Sequence, residues 1–148
     1  MTISETYDFL DGIRRIEAEI ARKQLHHDEL QSCLLPRAIT YDGDKVQTSP
    51  EDEMSKIAAR VVDLEREIRT LKVRKAKLIG RVVRAIACLE SDNEQIILTA
   101  FYVRRLPASR VADILHYSVR SVYKIKDKAV RHLAEKSAQS SVWHSGIM

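Results

Sequence analysis

Aromatic residues make up only 5% of this sequence, and four glycines and three prolines are spread over its 148 positions. Strand-rich barrels and sandwiches draw heavily on aromatic and turn-forming residues, so the shortage favours long helices and an almost wholly helical protein. No run of about 18 apolar residues occurs, which argues against a membrane span. The opening Met1-Thr2-Ile3-Ser4-Glu5 lacks the basic and then apolar blocks of a secretory signal, so a cytoplasmic location is expected. Cys33 and Cys88 form no CxxC, and the adjacent His26 and His27 point apart on a helix, so neither a metal site nor a disulfide framework is expected. There is no P-loop, GxSxG or HExxH, and too few glycines to build a phosphate cradle; no enzyme activity and no cofactor are expected.

What is present is 45% apolar and 31% charged residues with a net charge of +4, the balance of a folded chain that permits a polyanionic partner. From Ile3 to Leu34 no proline occurs, and Phe9, Ile13, Ile16, Ile20, Leu30 and Leu34 recur at the three-and-four spacing of one helical face. Lys23 and His27 interrupt that stripe. Pro36 ends the helix, and residues 36–49 collect turn formers, including Val46-Gln47-Thr48-Ser49. Ser49, Pro50, Glu51 and Asp52 then read as an N-cap, a first-turn proline and acids at the positive end of a new helix.

The second helix carries the most regular pattern: Met54, Ile57, Val61, Leu64, Ile68, Leu71, Lys75, Leu78, Val82, Ala85 and Leu89. Such a stripe must be buried, either against the first helix as a hairpin or against a second copy of the chain as a homodimer. Arg69, Lys72, Arg74, Lys75, Lys77, Arg81 and Arg84 form a run without an acid, and an antiparallel hairpin would bring it towards Glu5, Asp8 and Asp11. A solvated face with cross-helix pairing is the preferred reading of that run; tracking a nucleic-acid backbone is the other, and the two are compatible.

Ser91 with Glu94 three residues on has the form of a capping box opening a third helix, whose apolar face is Ile96, Ile97, Ala100 and Phe101 before Pro107 closes it. From Ala108 the sequence fits a twenty-residue helix-turn-helix frame. Val111, Leu115, Tyr117, Val122 and Ile125 take the buried places, Ala112 the close helix crossing, His116 the turn position often held by glycine, and Ser118 the cap of a recognition helix from Ser118 to Leu133. Between Arg104 and Arg131 eight basic residues, Arg104, Arg105, Arg110, Arg120, Lys124, Lys126, Lys128 and Arg131, oppose only Asp113 and Asp127, a local charge of +6. Because the first turns of such a helix enter the major groove, Val119, Arg120, Tyr123 and Lys124 are the candidates for base edges. Arg104, Arg105, Ser121, Lys126, Lys128 and Arg131 are the candidates for phosphates.

Val111-Ala112-x-x-Leu115-x-Tyr117-Ser118-x-x-Ser121-Val122 through Lys128-Ala129-Val130-x-x-Leu133 resembles region four of bacterial sigma factors, with Val119 standing where a polar contact residue is common. The order of helical pair, loop, long heptad helix and sigma-like module resembles the ArpU/RinA-like transcriptional regulators of phages and prophages. That resemblance implies control of phage gene transcription, and the leading expectation is a sequence-specific regulator that binds double-stranded DNA and whose hairpin serves to dimerise or to contact RNA polymerase. The expected architecture is all-α: a helical hairpin or coiled coil over 1–90 (helices 3–34 and 50–90, loop 36–49), a helix-turn-helix unit over 91–135, and a flexible tail over 136–148 that includes Trp143. The rival readings are a helical adaptor contacting RNA polymerase or a phage partner, and a DNA-packaging recognition subunit.

Overall fold

The computed structural model describes residues 1–35 and 50–139. Five helices follow one another: α1 (Ile3–Leu34), α2 (Pro50–Ile86), α3 (Asp92–Leu98), α4 (Ala108–Leu115) and α5 (Val119–Gln139). The protein is all-α, with no strand among the described residues. None of these helices is long and apolar enough to cross a membrane. The expected loop over 36–49, the cap at Ser49 and Trp143 lie outside the described residues.

Local chemistry accounts for the ends. At the start of α1, Thr2 Oγ1 accepts from the Glu5 N–H (3.1 Å) while Glu5 Oε2 accepts from the Thr2 N–H (2.8 Å), a reciprocal capping box. The second helix was expected to reach residue 90, but α2 stops at Ile86. The chain then tightens, the N–H groups of Cys88 and Leu89 donating to the carbonyls of Ala85 (3.1 Å) and Ile86 (3.0 Å). The third helix ends in a wider π-type turn over Thr99–Val103, with the Arg104 N–H donating to Thr99 O at 2.9 Å. Arg105 follows with φ 52°, and the Leu106 N–H closes the end on Ala100 O at 2.9 Å.

The chain packs as two compact units, one of residues 16–74 and one that joins residues 1–15 to those from 75 onward. This differs from the expected boundary at 90, because one end of each long helix shares a core with the C-terminal helices. In the unit of residues 16–74, α1 and α2 run antiparallel and bury Val61, Leu64, Ile68 and Leu71. The two polar interruptions of the first stripe are matched there from α2. Lys23 Nζ pairs with Glu67 at 3.0 Å, and the ring of His27, itself buried, bonds Glu65 through Nε2 and Asp28 through Nδ1, both at 3.0 Å. Met54, at the start of the α2 stripe, is exposed.

In the other unit, Leu10 and Ile13 of α1 meet Val82, Ala85, Ile86 and Leu89, and Leu98, Ala129, Val130 and Leu133 complete the cluster. A fully buried Leu or Ile side chain is worth about 1.5–3 kcal/mol, so this cluster holds the ends of the long helices to α5. The helices approach closely at Gly12, where an added Cβ would stand 3.0 Å from Leu78 Cδ2. The start of α1 meets the basic end of α2, at Gly12 with Leu78 and at Phe9 with Arg81, while two of its acids bond arginines of their own helix. Asp11 bonds Arg14 (2.6 Å), Asp8 bonds Arg15 (3.0 Å), and Arg81 lies 5.4 Å over the Phe9 ring. Arg14 stands one turn from Asp11 and Arg15 two turns from Asp8, so both ion pairs form within α1.

Candidate nucleic-acid interface

The C-terminal helices are organised around a second apolar cluster: Ile97, Ala100, Val111, Ala112 and Val122, flanked by Phe101, Leu106, Leu115 and Ile125. Val111 and Val122 are fully buried, and Ala112 nearly so. α4 ends at His116, whose φ of 58° and ψ of 38° are left-handed, and the Tyr117 N–H donates to Ala112 O at 3.0 Å. That backbone state costs a side chain with a Cβ about 1–2 kcal/mol, and histidine is among the residues that tolerate it. Three residues later α5 begins. Ser118 Oγ accepts from the Ser121 N–H (3.2 Å) and donates to Ser121 Oγ (2.9 Å), capping the helix.

Tyr117 departs from its expected buried place. It is 41% exposed, and its hydroxyl accepts from Asn93 Nδ2 at 3.0 Å, which holds the phenol at the surface. Ile96 is likewise exposed rather than on the inner face of α3, and Leu98, which the pattern did not single out, is fully buried.

The capping box at Ser91 forms by half. Ser91 Oγ accepts from the Glu94 N–H at 3.4 Å, while the Glu94 carboxylate turns to His132 on α5, 2.8 and 3.0 Å from Nδ1. Lys136 pairs with Glu90 at 3.0 Å along the same edge. These links and the buried Val130 and Leu133 fix α5 against α3. Of the tail expected over 136–148, residues 136–139 belong to α5, with Ser137 buried and its hydroxyl donating to Ala134 O at 2.7 Å; the rest lies outside the described residues.

With its inner face committed, α5 turns a basic face outward. Arg120, Lys124, Lys128 and Arg131 are all exposed, at steps of four, four and three that keep them on one side of the helix. Val119 and Tyr123 are exposed beside them at the N-terminal end. Of the two acids in the segment, Asp127 accepts a hydrogen bond from the Tyr7 hydroxyl of α1 at 2.9 Å. Burial first, and then that carboxylate, push the Tyr7 phenol above its usual pKa.

The six phosphate candidates fall into different settings. Arg104, Lys128 and Arg131 are exposed. Arg105 is exposed, but it sits near enough to Asp11 to help Arg14, the main cause, hold that carboxyl below its ordinary range. Ser121 is half-buried with its hydroxyl occupied by Ser118. Lys126 departs from the expectation most clearly. It is half-buried, and its ammonium lies over three rings, 5.1 Å from Phe101, 5.5 Å from Tyr102 and 5.7 Å from Tyr123. Three ring faces attract a cation where a phosphate would otherwise be its partner, so Lys126 organises the motif's aromatic edge. The sequence does contain a signal for this, since Phe101-Tyr102 and Tyr123 hold three of its seven Phe and Tyr residues, but only folding shows that the rings meet.

No family model, curated protein or solved structure matches this chain.

Proposed function

We propose that this chain is a sequence-specific transcriptional regulator that binds double-stranded DNA with α5, working in phage or prophage gene expression as its resemblance to the ArpU/RinA-like regulators implies. The observation that carries the reading is the outer face of α5. Its first two turns expose Val119, Arg120, Tyr123 and Lys124 with no acid among them, and Lys128 and Arg131 continue the cationic face. Read as a helix-turn-helix, α4 and the left-handed turn at His116 would hold α5 so that its N-terminal end enters the major groove. Arg120 is suited to two hydrogen bonds with guanine, and Lys128, Arg131 and Arg104 to phosphates. In this reading the hairpin supplies a contact to RNA polymerase or to a second copy of the chain.

The test is selection from a random duplex library by the purified chain at near-physiological salt, with unrelated DNA as competitor. One strongly enriched motif, lost with Arg120→Ala, is the expected result. Weak, unselective binding abolished by modest salt would reduce the basic face to phosphate contacts and leave the helical adaptor as the better account.

A further inference from the structure

The inner side of α5 buries Val122, Ala129, Val130, Leu133 and Ala134, yet Val119 is 41% and Tyr123 48% exposed. A scattered exposed apolar residue is ordinary, but these two are one turn apart on one helix face, and Arg120 and Lys124, each one position further along, flank them. Val119 also occupies the first position of the helix, where a β-branched side chain does nothing for helix stability. The Tyr123 ring is not loose. Its centroid lies 6.0 Å from that of Phe101 at a tilt of 37°, and the Lys126 ammonium sits 5.7 Å from it, so the ring is set in place beside Val119's turn. The result is a small fixed apolar surface framed by two cations.

We infer that Val119, supported by the ring of Tyr123, reads the 5-methyl group of a thymine next to the guanine taken by Arg120. This rests on the DNA-binding reading above and adds to it the kind of base that this side chain recognises. Among the four bases, thymine alone presents a methyl group in the major groove, and it does so on the floor that also carries the N7 and O6 acceptors of guanine. An apolar side chain beside an arginine matches that pair of neighbours. A protein partner for the same dyad would gain nothing from the flanking cations unless it were acidic. The dyad's position at the leading end of α5, where base edges are reached, favours DNA.

Deoxyuridine differs from thymidine only by that methyl group, which makes the test direct. In the duplex enriched by the full chain, each thymine is replaced singly by uracil and affinity is measured by fluorescence anisotropy. The wild-type chain is expected to bind about 3- to 5-fold more weakly at one thymine, the effect of one methyl group leaving a contact. That thymine should lie within about two base pairs of the guanine whose replacement is felt by wild type and not by Arg120→Ala. Val119→Ser, at an exposed position, should bind the thymine duplex about as weakly as the wild-type chain binds the uracil duplex and should no longer tell the two apart. Selective binding with no uracil effect at any position overturns the inference and leaves the DNA reader standing. So does a uracil effect that persists undiminished in Val119→Ser. Failure to enrich any site would remove the DNA reading itself, and this inference with it.

Discussion

Nδ1 of His132 on α5 lies 2.8 and 3.0 Å from the two carboxylate oxygens of Glu94 on α3, a residue only 6% exposed. The pair joins the helix that presents the basic face to the helix behind it. His132→Ala strips a buried carboxylate of its partner and should cost about 1–3 kcal/mol, read as a lower urea midpoint. Glu94→Gln keeps an acceptor and should cost less; equal losses would mean that charge plays no part in the contact.

His27 gives the unit of residues 16–74 a pH dependence. Its bond to Glu65, and after that its bond to Asp28, raise its pKa above the ordinary 6.5. A group whose folded pKa is raised contributes stability that is complete below the unfolded value and is lost as pH rises through the folded value. Thermal melts should therefore show the wild-type chain losing stability, relative to His27→Gln, as pH rises above about 6.5 and through the raised folded value. Parallel pH profiles for the two proteins would refute the assignment.

The left-handed backbone at His116 predicts a gain from glycine. His116→Gly should stabilise the chain by about 0.5–1 kcal/mol, and His116→Val should destabilise it by at least as much, because a β-branched side chain is strained at positive φ. Denaturant midpoints of the two variants check the sign. A destabilising glycine would mean that the imidazole makes a contact worth more than the strain.

Lys126 and Lys128 are two positions apart and should behave differently. Lys128→Ala should weaken binding to all DNA and lower the dependence on salt by about one counterion. Lys126→Ala should leave that slope nearly unchanged and instead lower stability by about 0.5–2 kcal/mol through loss of its ring contacts. Equal salt slopes for the two variants would return Lys126 to the phosphate contacts.

Much of the architecture follows from periodicity and from the breakers that bound it. A stripe from Val61 to Leu89 must be buried whatever covers it, α1 stops before Pro36, and the all-α class follows from apolar spacing of three and four with few aromatics and glycines. The outward basic face of α5 was also legible, because Val122, Ala129, Val130 and Leu133 claim the inner side and leave Arg120, Lys124, Lys128 and Arg131 to the other. Tertiary structure decided what periodicity is blind to, the identity of the partner. It paired Glu94 with His132 in place of completing its own cap, set Lys126 over Phe101, Tyr102 and Tyr123, left Tyr117 at the surface bonded to Asn93, and drew residues 1–15 into one core with α5. Periodicity along a helix specifies which side of it is apolar, because backbone geometry is local. Which groups meet across helices depends on residues dozens of positions apart, and that is fixed only when the helices pack.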